Sequence, residues 1–457
     1  MEQKQPSTEQ QQPPKEQKQP PKEQRQPPKE QHQPPSRSTG GHIVVLKAGL
    51  LDSHLESHLQ QLKNTHKNKT AVQITHSYYG EASGFHGYAG HFPPRILKSL
   101  RQHPEVEWVE ENELVQIPPY TIEEPESDGW GEEKLQEISS LRKRHDTSAT
   151  QWCAPWNLHA ISHRSSLPNL QSSCFWTYYY NSTAGENTYA YVIDSGVRIT
   201  HEELEGRASH GCTIKTGCAG CSGSLSDHDD LNGHGTHVAG IIAARTYGVA
   251  KKARVIAVKV FDENGEALRS DVIEAFLWAV NEIRVKGRRD TTVITISWGR
   301  AREGTDALAT VIDRAFDKLG IITVVSSENY ARPALENSPA CAAKAITVGS
   351  IGKEWSVAAY SNFGCEVDIL APGRSIISLS ENHDSALKIL TGTSMATPHV
   401  AGLVLNAMSV HGIKGAESVK QYIFDSATRD KVTGNLRGAR NLVANNNYDQ
   451  QNSLHPI

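Results

Sequence analysis

The strongest constraint on the fold is an alternation between about Gln151 and about Asn445. Short, near-continuous apolar runs take turns with helical stretches. Tyr189-Ala190-Tyr191-Val192-Ile193, Val255 to Val260, Val293 to Ser297 and Ile321 to Val325 read as strands buried on both faces. Asp271 to Val285 and Asp306 to Lys318 read as helices between them. Buried strands alternating with helices predict an α/β domain with a doubly wound, mostly parallel sheet. Sites in such sheets form at the carboxyl ends of the strands.

Three segments at such ends carry chemistry. Asp194 follows the first strand and precedes Ser195-Gly196. Asn232-Gly233-His234-Gly235-Thr236-His237-Val238-Ala239-Gly240 sets a histidine between glycines ahead of an apolar helix. Gly392-Thr393-Ser394-Met395-Ala396-Thr397-Pro398-His399-Val400-Ala401-Gly402 sets a serine at the start of a second, Met395 to Met408. A serine at a helix N-terminus lies beside unpaired backbone N–H groups that can help hold an oxyanion. Taken singly, each residue has a plainer reading: a turn Asp, a structural His, a capping Ser. His237 and His399 are assigned to that structural class. A His234/His237 zinc pair is set aside, because the helical zinc signature needs His at i and i+4 with Glu between. A hydrolase of the nucleophile-elbow type would need Gly-x-Ser-x-Gly, which is not the motif here.

The eleven-residue serine run, with the Asp and His segments in the order Asp, His, Ser, resembles the subtilases in the form of the proteinase K-like group. That order is the one known for subtilisin. The resemblance implies a serine endopeptidase. Ser394 is the nucleophile, His234 the general base, and Asp194 the group that fixes the histidine tautomer. Asn329, in Thr323-Val324-Val325-Ser326-Ser327-Glu328-Asn329, falls on the family's oxyanion Asn. Ser297-Trp298-Gly299, with Ser327 and Glu328, falls on its substrate-binding walls. Glu328 and Arg300 replace residues that are usually Gly. The expectation is that they pair with each other and narrow the pocket. The rival function is a weak or inactive homologue that binds or regulates. The resemblance also aligns Asp368 with a calcium ligand, beside carbonyls near Ala343 and Ala345; no other cofactor is implied.

The N-terminal part is built differently. Residues 1–41 contain a seven-residue repeat, Gln-Pro-Pro-Lys-Glu-Gln-(Lys/Arg/His), without apolar side chains, and read as a disordered spacer. Residues 42–117 read as strand, helix, strand, strand, helix, strand, with Leu51, Leu55, Leu59 and Leu62 on one helical face. This is a small ferredoxin-like α+β pattern, and it resembles the inhibitory propeptide of subtilases. The chain is then a zymogen whose partners are a protein or peptide substrate and its own propeptide. Residues 118–150 form a linker expected to hold a processing site; Arg142-Lys143-Arg144 is either that site or, as the plainer reading, a solvated charge run. Residues 446–457 form a polar tail.

A formal net charge of −4 gives no reason to expect a nucleic-acid partner, and no apolar run approaches a membrane span. A monomer is expected. Met1 to Ser36 has no apolar core and so does not read as a signal peptide, although the resemblance favours an extracellular enzyme. All seven Cys follow residue 150. Cys212, Cys218 and Cys221 read as one disulfide plus a spare thiol rather than a zinc site. Cys341 and Cys365 are expected to pair. The run Asp227-His228-Asp229-Asp230 reads as a solvated loop.

Overall fold

The computed structural model describes residues 37–65, 72–80, 82–118, 120–122, 150–166, 176–222, 224–302 and 304–448. The glutamine-rich repeat, the basic triplet, Cys174 and the end of the tail lie outside them.

The first unit follows the expected order: β1 (Arg37–Leu46), α1 (Asp52–Thr65), β2 (Gln73–Tyr78), β3 (Gly87–His91), α2 (Pro94–Leu100) and β4 (Val106–Gln116). Its strands are antiparallel, in the order β4-β1-β3-β2. The alternation along β1 divides its side chains. Val44 and Leu46 join Leu55, Leu59, Leu62, Ile96, Leu97 and Leu100 under the two helices. Ile43 and Val45 face the opposite way. Leu51 precedes α1 and is exposed, so the helical stripe starts at Leu55. β1 begins at Arg37, earlier than expected. Those extra residues, Arg37 to Gly40, lie exposed along β4, with the Thr39 hydroxyl donating to Asn112 O, and bury no side chain, so no apolar pattern announces them.

The second unit has a nine-stranded sheet. In chain order its strands are β5 (Tyr189–Asp194), β6 (Ala208–Thr213), β7 (Arg254–Lys259), β8 (Thr292–Ile296), β9 (Ile322–Ser326), β10 (Ile346–Ile351), β11 (Ile369–Pro372), β12 (Thr428–Arg429) and β13 (Leu442–Val443). The spatial order is β12-β13-β11-β10-β9-β8-β5-β7-β6, and only the β12/β13 pairing is antiparallel. Both faces are covered. Ala190, Val192, Val293 and Val324 face α3 (His234–Ala243) and α6 (Thr393–Ser409). Tyr191, Ile193, Ile294 and Val325 face α4 (Arg269–Val285) and α5 (Ala307–Leu319). The succession reverses direction at β5: β6 and β7 lie to one side of it, β8 to β11 to the other. That reversal opens a crevice at the strand ends, and Asp194 is the last residue of β5.

The free face of the first sheet packs on the second unit. Ile43, Val45, Tyr78, Phe85, Ala89, Val115 and Ile117 share one core with α4 and α5. Polar contacts fix the fit. Asn112 Oδ1 accepts from Ser270 N near the start of α4 (3.0 Å), and Glu110 accepts from Ala307 N at the start of α5 (3.2 Å). Each caps a helix end whose N–H groups lack intrahelical partners. Glu110 and Asp306 also hold the buried Arg269 at 2.9 and 2.8 Å. His76 meets Asp271 at 3.1 Å with both side chains fully buried.

One disulfide forms among the described residues, Cys212–Cys221, and Cys218 stays free. The expected Cys341–Cys365 bond is not made: both are free thiols. Cys365 instead donates to the adjacent Glu366 (3.3 Å).

Candidate active site

Asp194 is 1 % exposed, and its two oxygens lie 2.8 and 3.0 Å from His234 Nδ1. His234 is the first residue of α3. Gly235 is required there, because a Cβ would stand 2.2 Å from Gly196 O. A carboxylate on Nδ1 holds the proton there and leaves Nε2 free to accept another.

Asp230 organises this corner, and here the reading of a solvated acidic loop is wrong. The side chain is buried. Its Oδ1 accepts from Gly233 N (2.7 Å) and Ser195 Oγ (2.9 Å); its Oδ2 accepts from Thr236 N (2.9 Å) and Thr236 Oγ1 (2.6 Å). Ser195 Oγ in turn accepts from Gly235 N (3.0 Å). Asp230 therefore caps α3 and ties it to the end of β5, fixing His234 against Asp194. Its sequence signal is a carboxylate just ahead of Asn-Gly at the mouth of an apolar helix, a capping context.

Ser394 is the second residue of α6, behind Gly392. Asn329 reaches this turn: its Oδ1 accepts from Thr393 N and Thr393 Oγ1, both at 2.8 Å. Those bonds orient the amide so that Nδ2 is the free end. A Cβ on Gly392 would stand 3.2 Å from that Nδ2. Asn329 Nδ2, Ser394 Oγ and His234 Nε2 are all buried without a hydrogen-bond partner. Buried polar groups normally have partners, so three orphans on converging segments mark a place where a reacting group fits.

His237 and His399 are structural, as expected. His237 Nε2 faces the carbonyls of Ile376 and Lys388, and burial holds its pKa well below the usual range. His399 bridges Asn157 and the Met395 carbonyl, and burial lowers its pKa to about 4.

The substrate-wall residues divide. Trp298 turns into the core and donates to Ile193 O at 2.9 Å. Ser297 Oγ is buried, and the Ser327 hydroxyl faces Ser361 Oγ at 3.5 Å. Gly299 lies where a Cβ would be 2.6 Å from Ser338 O and 2.9 Å from Glu328 Oε1. Glu328 thus packs against the Gly299 backbone, but it does not pair with Arg300. Its Oε1 accepts from Ser326 Oγ (2.6 Å), its Oε2 is buried and unpartnered, and desolvation raises the carboxyl pKa to about 7. Its φ of 81° lies in the left-handed region that favours glycine. Arg300 instead meets Glu113 of β4 at 2.8 Å and Asp306 at 3.2 Å. Glu113 is far away in sequence and Asp306 six residues on, so neither is signalled by the two departures from Gly.

Asp368 Oδ2 accepts from Thr347 N at 3.1 Å. Burial raises the Asp368 pKa, and the Lys420 ammonium, which donates to the carbonyls of Ala345 (2.7 Å) and Lys344 (3.3 Å), is the main charge opposing that rise. A side-chain cation thus engages the carbonyl region expected to hold calcium, so these residues do not fit that ion.

The chain itself crosses the site. Gln116, Val115 and Leu114 pair antiparallel with Glu266, Ala267 and Leu268, and Ile117 N donates to Gly265 O (2.9 Å). Tyr120 then lies over His234, ring centres 5.5 Å apart, and Thr121-Ile122 pair with Thr391 and Leu390 just ahead of Ser394.

Comparison with known proteins agrees with this geometry. Residues 185–449 match the subtilase family, and residues 41–118 match the peptidase inhibitor I9 family. Alkaline protease 1 of Aspergillus flavus is 35 % identical over 418 residues, covering 89 % of this chain and 91 % of the relative. A cuticle-degrading serine protease of Arthrobotrys oligospora is 34 % identical over 416 residues, covering 89 % and 90 %. The crystal structure of a cold adapted subtilisin-like serine proteinase is similar with a TM-score of 0.56 at 31 % identity, covering 65 % of this chain and 99 % of that one. The chain belongs to the subtilase family of serine peptidases and carries an inhibitor-type propeptide ahead of its peptidase domain.

Proposed function

We propose that Asp194, His234 and Ser394 hydrolyse peptide bonds in protein substrates, with Asn329 as the oxyanion donor. His234 Nε2 takes the proton of Ser394 Oγ as that oxygen attacks the scissile carbonyl. Asp194 steadies the imidazolium, and Asn329 Nδ2 donates to the developing oxyanion. His234 then protonates the leaving amine, and water repeats the sequence on the acyl-enzyme. The observation that carries this reading is the set of three buried, unpartnered groups: Ser394 Oγ, His234 Nε2 and Asn329 Nδ2. The test is covalent labelling by a serine-directed phosphonate together with casein hydrolysis. Both should vanish in Ser394→Ala; labelling at another serine, or undiminished turnover, would reject the assignment.

The propeptide acts in cis as the inhibitor, and what supports this is the course of residues 114–122 across the site. Wild type should mature into two fragments cut within 118–150, while Ser394→Ala should stay full length. The mature enzyme acts as a monomer and needs no calcium. Support for the latter is Lys420 on the Ala345 carbonyl. A chelator should leave its melting temperature unchanged, and a fall of several degrees would refute this.

A further inference from the structure

Arg300 has two acidic partners, and one of them, Glu113, is present only while the propeptide is bound. It meets Glu113 at 2.8 Å with both side chains largely buried, 12 % and 14 % exposed. Its other acidic contact, Asp306, is shared with Arg269, which itself leans on Glu110. Departure of the propeptide removes Glu110 and Glu113 together. Two guanidinium groups are then left around the single carboxylate of Asp306. Breaking a buried pair from one side leaves an uncompensated charge, which is costly.

Glu113 immediately precedes the stretch that runs into the active site. Leu114, Val115 and Gln116 are paired with Leu268, Ala267 and Glu266, Ile117 with Gly265, and Tyr120 covers His234. An extended peptide that replaces the propeptide on this edge inherits the same backbone register. Its residue four places before the one bonded to Gly265 O then stands where Glu113 stood. We propose that Arg300 is a specificity residue that selects substrates carrying an acidic side chain at that upstream position, taking it in the bidentate-capable fork that held Glu113. This rests on the peptidase reading above.

The test uses active enzyme purified after expression of the full chain, and quenched fluorescent peptides with the sequence of residues 108–124. The position of Glu113 is varied as Glu, Gln and Lys, and casein hydrolysis is measured beside them. The Glu peptide should exceed the Gln peptide in kcat/KM by about five- to twentyfold, as a charge-assisted contact implies. Lys should be the poorest, and the Glu/Gln ratio should shrink in high salt. Arg300→Glu should reverse the order of the Glu and Lys peptides. The ratios are read within each enzyme, and the wild-type ratio with its salt dependence decides the matter if that variant fails to fold. Equal kcat/KM for Glu and Gln peptides in an enzyme that digests casein would overturn the role of Arg300 and leave the peptidase reading intact. Loss of casein hydrolysis and of phosphonate labelling in the wild type would instead overturn the peptidase reading itself.

Discussion

The two sheets of this molecule are covered in different ways. The nine-stranded sheet has its own helices on both faces, α3 and α6 on one, α4 and α5 on the other. The propeptide sheet has its own helices on one face only and rests the other on α4 and α5. The peptidase unit thus retains both coverings when the two separate, whereas the propeptide sheet loses the covering of one face. Polar groups repeat the asymmetry. Asp194, Asp230 and Asn329 find their bonding partners within the peptidase unit, while Glu110, Asn112 and Glu113 find partners across the boundary. A tight inhibitor that loses part of its core on release is suited to act once.

The largest effect should come from breaking that dependence at Glu110. Glu110→Ala leaves Arg269 with the Asp306 ion pair and removes the acceptor for Ala307 N, while Asp306 still caps α5. Breaking a buried pair from one side costs about 3–5 kcal/mol, so the propeptide's Ki against the mature enzyme should rise by about 10²–10³-fold. The melting temperature of the mature enzyme should not move, since Glu110 is no longer part of it. An unchanged Ki would mean that apolar packing alone holds the two units together.

The next effect belongs wholly to the peptidase unit. Asp230→Ala removes the acceptor for two α3 backbone N–H groups, a threonine hydroxyl and Ser195. His234 should then wander by about an ångström from Asp194, and misplacement on that scale costs about 10²-fold in rate. As a positioning residue, Asp230 should act on kcat rather than KM, and Asp230→Asn should recover part of the loss. A variant that lowers only stability, with kcat intact, would make Asp230 a plain cap.

Much of this was legible in the sequence. The strand runs and helix stretches appear where expected because their apolar periodicity is local. Asp194, His234 and Ser394 sit beside glycines at strand or helix ends, and the structure brings Asp194 to His234 and Asn329 to the turn before Ser394. Other features depend on partners that no local pattern reveals. Arg300 pairs with Glu113, 187 residues earlier by the numbering, and Asp230 looked solvated because its neighbours Asp227 and Asp229 are not buried. Cys341 and Cys365 were paired in expectation by closeness in sequence, yet each thiol has other surroundings. Lys420 lies on α7 (Ala416–Ser426), whereas the carbonyls it engages lie in the turn just before β10.

A smaller effect should come from the disulfide. Cys212–Cys221 closes a loop with a sequence separation of 9. By the chain-entropy account such a loop contributes about 3 kcal/mol. The loop also brings Gly217 N to the Asp271 carboxylate (3.1 Å), the group that meets His76 of the propeptide. Cys212→Ser should lower the unfolding free energy of the mature enzyme by about that amount and weaken propeptide binding in addition. Equal denaturant midpoints for variant and wild type would show that this loop stabilises neither unit.

The last prediction sharpens the contrast between Arg300 and Glu328. Arg300 is a largely buried charge with one of its two acidic partners on the propeptide; Glu328 is a buried acid with no cation facing it. Its one described hydrogen bond is from Ser326 Oγ, and desolvation lifts its pKa to about 7 from a reference value of 4.5. A carboxyl raised in the folded state binds its proton more tightly there than in the unfolded chain. Its contribution to stability is therefore fully present below pH 4.5 and is lost as the pH rises through 7, where folding must bury the anion. The shift corresponds to no more than about 3 kcal/mol, and relaxation around the group should reduce the observed change to about 2. Glu328→Gln keeps the shape and cannot ionise, so the difference in unfolding free energy between variant and wild type should grow from pH 5 to pH 8. That growth should be the same with and without bound propeptide, because nothing on the propeptide pairs with Glu328. A difference that stays flat with pH would mean that Glu328 remains ionised throughout and has drawn a counter-charge or water into the wall behind Gly299.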